Sequence, residues 1–283
     1  MAECANCPAK ERCSKESAEC MMEQNPDSEI KHVVAVASGK GGVGKSTVAA
    51  LLAWAFKQKG LQVGLMDADL TGPSIPRLLG VVDEKPIPLG NKLLPVVGPD
   101  GLLLMSIQYL LDEETKPVIW RGPLLAGTVK QFWTEVVWGK LDVLVIDLPP
   151  GTGDVPLTIL QSVPVDGVLM VALAQDMVSM VVQKAVGLVR EMGVPLLGVV
   201  ENMTGLVCPH CGEEVPLFGD EEAEKDFTAA VGAQVLARLP MRPDILGLSR
   251  KGFDALTEES RKLIDGMADA VSAELEKLKE EKK

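Results

Sequence analysis

The sequence predicts an α/β fold: a mostly parallel, doubly wound sheet with helices on both faces, preceded by a Cys-rich tail. Two observations carry this. Along residues 30–283, short apolar, β-branched runs alternate with helical segments. Strands buried on both faces read as continuous apolar runs, and strand–helix alternation marks parallel crossovers. In addition, three Gly- or Asp-rich motifs each begin where an apolar run ends, the place where open parallel sheets bind ligands.

The elements follow in order. Residues 1–29 lack helical or strand period and read as a tail and linker, with Met21–Glu29 polar around Pro26. Ile30–Ala37 is the first strand. Val48–Lys59 is a helix stopped by Gly60. Leu61–Met66 is a strand ending in Asp67-Ala-Asp69, and Lys85–Ile107 reads as an inserted hairpin. Leu124–Trp138 is a helix, and Leu141–Ile146 a strand ending in Asp147-Leu-Pro-Pro-Gly-Thr-Gly-Asp154. Gly167–Ala172, Pro195–Val200 and Gln234–Leu239 continue the strands, with helices at Met177–Met192 and Asp220–Val231. Thr257–Lys283 is a C-terminal helix with opposite charges at i, i+4 spacing. Its alternative reading, a membrane-surface helix, suits its thin apolar face and mixed charges poorly.

Composition narrows the function. With 28 Lys and Arg against 40 Asp and Glu, the net charge of −12 disfavours nucleic-acid binding, which needs clustered cations. At 4% aromatic residues, a base-stacking surface is also disfavoured. The most apolar run, Gly167–Gln175, is short and bracketed by Asp166 and Asp176, so no membrane span or membrane partner is expected. The N-terminus lacks a signal-peptide pattern, and a cytoplasmic location is expected.

Gly39-x4-Gly44-Lys45-Ser46 fits the P-loop pattern, with a strand before it and a helix after it. Its glycines let backbone N–H groups turn toward phosphate oxygens, and the helix N-terminus adds positive potential. Lys45 is expected on the β- and γ-phosphates and Ser46 on Mg²⁺. Asp147 suits the carboxylate that serves Mg²⁺ through a bound water in P-loop enzymes. Gly151 is placed to offer an N–H to a γ-phosphate, and a carboxylate at Asp67 or Asp69 can orient the attacking water. The plainer alternatives are a Gly-rich turn without ligand and strand-terminal Asp residues acting as helix caps.

The six cysteines are Cys4, Cys7, Cys13 and Cys20, then Cys208 and Cys211, all in polar segments. In a reducing compartment such clusters read as metal ligands or redox groups. Cys208-Pro-His-Cys211-Gly212 supports an iron–sulfur ligand pair, half a zinc site, or a dithiol redox pair. Two symmetric copies would supply four thiolates. His32 begins a strand and reads as packed, and His210 as a polar loop residue.

Lys40-Gly-Gly-Val-Gly-Lys45-Ser46-Thr47 resembles the deviant phosphate loop of the MinD/ParA class of dimeric ATPases. Met66–Pro76, Ile146–Asp154 and Glu201–Gly212 narrow the resemblance to the Mrp/Nbp (ApbC-like) branch of iron–sulfur carrier ATPases, over about residues 30–270. The resemblance implies that Gly39, Lys40, Gly41, Gly42, Val43, Gly44, Lys45, Ser46 and Thr47 cradle ATP and Mg²⁺. It implies that Lys40 crosses a homodimer interface to the partner's nucleotide and that Asp69 positions water. It gives Asn202 the adenine edge and places Pro240 in the base pocket. It also implies that Cys208 and Cys211 from two chains hold one 4Fe-4S cluster for delivery to apo iron–sulfur proteins. Cys4, Cys7 and Cys13 fit part of an N-terminal motif of eukaryotic-type members. A second 4Fe-4S cluster in the tail would need Cys20 as its fourth ligand. The alternative is an arm collecting adventitious metal. The rival functions are a MinD/ParA-like positioning switch and ATP-gated electron transfer.

Overall fold

The computed structural model describes residues 21–70, 72–111, 122–173, 180–217 and 232–281. The predicted ligands Cys4, Cys7, Cys13 and Cys20 and the predicted helix 220–231 lie outside these residues.

The main sheet is built from β1 (Glu29–Ser38), β2 (Val63–Asp67), β5 (Val96–Val97), β6 (Leu103–Ser106), β7 (Lys140–Asp147), β8 (Gly167–Leu173), β9 (Leu196–Val207), β10 (Glu214–Pro216) and β11 (Val235–Met241). Their order is β10-β9-β8-β1-β7-β2-β6-β5, with β11 also paired to β9. All pairs are parallel except β5 with β6 and β10 with β9. A separate hairpin joins β3 (Ile87–Leu89) and β4 (Lys92–Leu94).

Successive side chains of a strand point to opposite faces, and the core divides accordingly. Val34, Val36, Leu65, Val143, Val145, Leu169 and Val171 face one layer. It is closed by α1 (Lys45–Gln58) and the C-terminal helix Glu258–Glu281. Val33, Ala35, Met66, Leu144, Ile146, Val168 and Met170 face the other. That layer is closed by α3 (Gly122–Thr134), α4 (Asp154–Ser162) and α5 (Met180–Glu191). In α1 the residues Val48 to Phe56 are all buried. Burying each large side chain such as Leu51, Trp54 or Phe56 stabilises the layer by about 1.5–3 kcal/mol. The short helix α2 (Ile75–Leu78) follows the Asp67 loop.

The structure corrects four details. Leu103–Ser106 is a parallel strand of the main sheet, where the sequence reads only as part of an inserted hairpin; its run is short and follows Gly98-Pro99-Asp100-Gly101 directly. The helix read to Trp138 ends at Thr134, and the β-branched Val136 instead bridges Leu93. The segment read as linker docks: Met22 N–H donates to the Ser162 carbonyl (2.8 Å), Trp133 Nε1 donates to the Met22 carbonyl (3.2 Å), and Asn25 is buried. The C-terminal helix buries Ile264, Met267, Ala268, Val271 and Leu275 in the core, so its apolar face is the sheet's cover. Among the described residues no helix is long and apolar enough to cross a membrane.

Candidate functional site

The site forms where β1, β7 and β2 end side by side. Their register pairs Val36 with Asp147 and Asp147 with Asp67, so two strand-terminal carboxylates sit beside the phosphate loop. Both are fully buried. Between β1 and α1 the loop turns on Gly42 (φ 81°) and Gly44 (φ 79°), left-handed conformations that a Cβ would strain. The Ser38 hydroxyl donates to the Lys40 carbonyl (3.0 Å) and pins the loop's start. A Cβ on Gly39 would lie 3.0 Å from the Val181 backbone, so α5 closes the loop from behind. Lys40, Gly41 and Gly42 are exposed, and Val43 and Lys45 are buried. The first turn of α1 carries no acidic residue, leaving its positive end for an anion.

Lys45 Nζ lies 2.5 Å from Asp147 Oδ1 and 3.5 Å from Ser46 Oγ. Burial pushes the Asp147 carboxyl above its ordinary range, and Lys45 and Ser46 pull the other way. Asp147 Oδ2 is buried without a hydrogen-bond partner. A buried carboxylate oxygen next to a hydroxyl suits a hydrated Mg²⁺, so the residues fit the metal that accompanies a nucleotide.

Asp67 and Asp69 stand in different surroundings beside the loop. Asp67 accepts from Ser74 N–H (3.1 Å), Ile75 N–H (3.2 Å), the Ser106 hydroxyl (3.2 Å) and Asp69 N–H (3.2 Å). It therefore holds the loop and caps α2. Burial and Asp147 push it up to about 7, against these donors. Asp69 is half-exposed at the loop mouth, its Oδ1 accepting from Gly72 N–H (3.2 Å).

One expectation changes. Gly151 N–H donates to the Ser38 carbonyl (2.8 Å), so it ties two loops together rather than standing open to a phosphate. Pro149 and Pro150 have no N–H, which makes Gly151 the first donor after Leu148. Asn202 donates Nδ2 to the Val43 carbonyl (2.8 Å), against the phosphate loop. Pro240 is buried beside it, because Leu239 is in register with Asn202. Sequence reasoning missed Ser106, whose only signal is a polar residue closing the run Leu103–Met105, and the Lys45–Asp147 pair.

Cys208 and Cys211 sit at the tip of the β9–β10 hairpin. Cys208 N–H donates to the Glu213 carbonyl (2.9 Å) and Gly212 N–H to the Cys208 carbonyl (2.8 Å), folding the knuckle. Backbone N–H groups of Cys211 and His210 and the Cys211 thiol hold the Cys208 thiol below its usual range, which favours the thiolate a metal needs. Cys208 is half-buried and Cys211 exposed. His210 is exposed too. Among the described residues no group of three or more His, Cys, Asp or Glu is placed to hold a metal, so the knuckle offers two thiolates.

The family described as ParA, NUBPL iron-transfer P-loop NTPase, matches residues 29–276. The iron–sulfur cluster carrier protein of Methanocaldococcus jannaschii is 39% identical, over 96% of this chain and 98% of its own. That of Clostridium perfringens is 38% identical, over 87% and 90%. The structure of a nucleotide-binding protein from Archaeoglobus fulgidus in complex with ADP and with Co is similar at a TM-score of 0.71 and 40% identity. It covers 82% of this chain and 91% of that one. The cell-division protein MinD of Aquifex aeolicus, at 20% identity and a TM-score of 0.59 over 86% and 97%, shares the fold.

Proposed function

The chain belongs to the NUBPL iron-transfer P-loop NTPase family, and on that premise we propose that it is an ATP-hydrolysing carrier that holds a 4Fe-4S cluster between two copies and hands it to apo-proteins. One observation supports this most: a phosphate loop finished within one chain shares strand β9 with a knuckle that has half the ligands of a cluster. A four-iron cluster needs four thiolates, and a two-fold dimer brings the same patch from both subunits together. Leu206 and Val215, cross-strand partners, and Leu217 are exposed apolar residues flanking the thiols, a surface suited to such contact.

In this reading ATP enters over Gly42, Gly44, Lys45, Ser46 and Thr47. Lys45 turns from Asp147 to the β- and γ-phosphates, and Asp147 then serves Mg²⁺ together with Ser46. The metal supplies charge neutralisation of the phosphates. Asp69 orients the attacking water, and Lys40, exposed at the loop tip, reaches the nucleotide of the second copy. Cys4, Cys7, Cys13 and Cys20 offer a second cluster site. The test is anaerobic transfer. Cluster-loaded protein should activate an apo 4Fe-4S acceptor, and Cys208→Ala with Cys211→Ala should not. A double variant as effective as the wild type would refute the carrier reading.

A further inference from the structure

Strand β9 serves two substructures, and the point of change is strained. Leu196–Asn202 pairs with β8, whereas Gly205–Val207 pairs with β10. The ladder with β11 breaks between Leu239↔Asn202 and Met241↔Leu206. Residues 203–205 therefore stand opposite Pro240 alone. Proline has no N–H to give a ladder, so pairing fails there. At the start of this bulge Met203 has φ 57°. A non-glycine residue is seldom held in that region unless its surroundings enforce it, and such strain gathers at sites that switch.

Each side of Met203 is firmly held. Before it, Asn202 bonds Val43 of the phosphate loop, and a Cβ on Gly44 would lie 3.4 Å from Met203 Cε. After it, the Thr204 carbonyl accepts Leu217 N–H (3.2 Å), and Thr204 Oγ1 donates to Glu214 Oε1 (3.4 Å). Gly205 lies so close to Val215 that an added Cβ would meet its carbonyl at 2.8 Å. The hairpin is thus a stiff lever with Cys208 and Cys211 at its end.

We propose that Met203 is a positioning hinge, through which a nucleotide that draws Asn202 off Val43 re-aims the Cys208–Cys211 hairpin. The inference rests on the reading of the phosphate loop as an ATP site and of Asn202 as the residue that meets the adenine edge. It supplies a two-state element that both sites bias, which coupling requires: the backbone at residue 203, left-handed with Asn202 docked and extended with it released. Breaking one hydrogen bond of ordinary net strength shifts such an equilibrium about fivefold.

The experiment uses the full chain, reduced and freed of metal by chelation. Alkylation of Cys211 by iodoacetamide is followed by peptide-resolved mass spectrometry with and without Mg²⁺-ATP, and ATP binding is measured separately by equilibrium dialysis. Wild type should react about fivefold faster with ATP. Met203→Asn, which tolerates the left-handed region, should keep that ratio. Met203→Val, β-branched, should bring it to about one while still binding ATP. Should the Val variant not fold, amide exchange at Cys208 and Gly212 in wild type is decisive, and it should accelerate several-fold with ATP. ATP binding that leaves both readouts unchanged, or a Val variant with the wild-type ratio, overturns the hinge and leaves the carrier reading standing. Failure of wild type to bind ATP overturns the nucleotide reading, and the hinge with it.

Discussion

The phosphate loop and the cysteine hairpin both leave the carboxyl ends of parallel strands, β1 and β9, yet they are built to opposite standards. At the loop, Lys45 and Asp147 are buried and paired, Asp67 satisfies four donors, and Gly39 packs on Val181. At the hairpin, Cys211, Leu206, Val215 and Leu217 face solvent, and two thiols stand without further ligands among the described residues. A phosphate cradle built within one chain can bind a small molecule by itself, and the second copy then adds only Lys40 for turnover in the reading proposed above. In the reading proposed above, a second copy completes the half-site on the exposed tip, and what it then holds lies at the surface, where it can be passed on.

The largest effect should come from breaking the finished site. Lys45→Ala removes the phosphate cation and leaves Asp147 buried without its partner. Losing a charge-assisted bond should weaken ATP binding about a hundredfold, and the orphaned carboxylate should cost about 3–5 kcal/mol of stability. Calorimetry with Mg²⁺-ATP and urea unfolding read the two losses separately. Unchanged affinity would sink the assignment of the loop.

Lys40→Ala tests whether the loop too depends on the second copy. Removing a cation that acts in the transition state should lower hydrolysis by about a hundredfold or more, with a much smaller change in binding. Wild-type turnover in this variant would confine the nucleotide site to one chain. Removing residues 1–20 asks whether the hairpin is the sole iron site. Iron per chain should fall while thermal stability holds, because residues 1–20 are polar and carry no helical or strand period. Full iron retention would mean that the tail carries no cluster.

The smallest effect concerns protons. Asp67 rises from an ordinary 3.8 to about 7 and Asp147 rises as well. The folded chain therefore binds more protons than the unfolded one between about pH 4 and pH 7, so stability falls as pH rises through that window. Above it Asp67, beside Asp147, is charged, and Mg²⁺ should raise Tm more at pH 8 than at pH 5, by about 2–4 °C for each kcal/mol recovered. Equal shifts at both pH values would show that the carboxylates do not meet the cation.

The sheet was legible because its strands are continuous apolar runs: Gly167–Leu173 is buried throughout and reads that way. The loop was legible because Gly39-x4-Gly44-Lys45-Ser46 falls between an apolar run and a helix, as the P-loop pattern requires. Less was legible where a partner distant in sequence decides the outcome. Gly151 reads as a free N–H until β1 brings the Ser38 carbonyl to it. Asn25 reads as linker until Trp133 and Ser162 supply a surface beside it. Leu103–Ser106 becomes a central-sheet strand through its register with Gly64–Asp67. Met203 gives no sequence signal for its φ of 57°, which occurs where the ladder opposite Pro240 breaks.

The contrast between a finished site and a half-site is tested most directly by native mass spectrometry with iron and sulfide counting. The protein used is the chain lacking residues 1–20, reconstituted anaerobically. The account predicts a dimer carrying four irons and four sulfides, and a cluster-free protein when Cys208 and Cys211 are both replaced by Ala. A monomer that keeps a complete cluster on these two cysteines, or a double variant that still holds four irons per dimer, would contradict it.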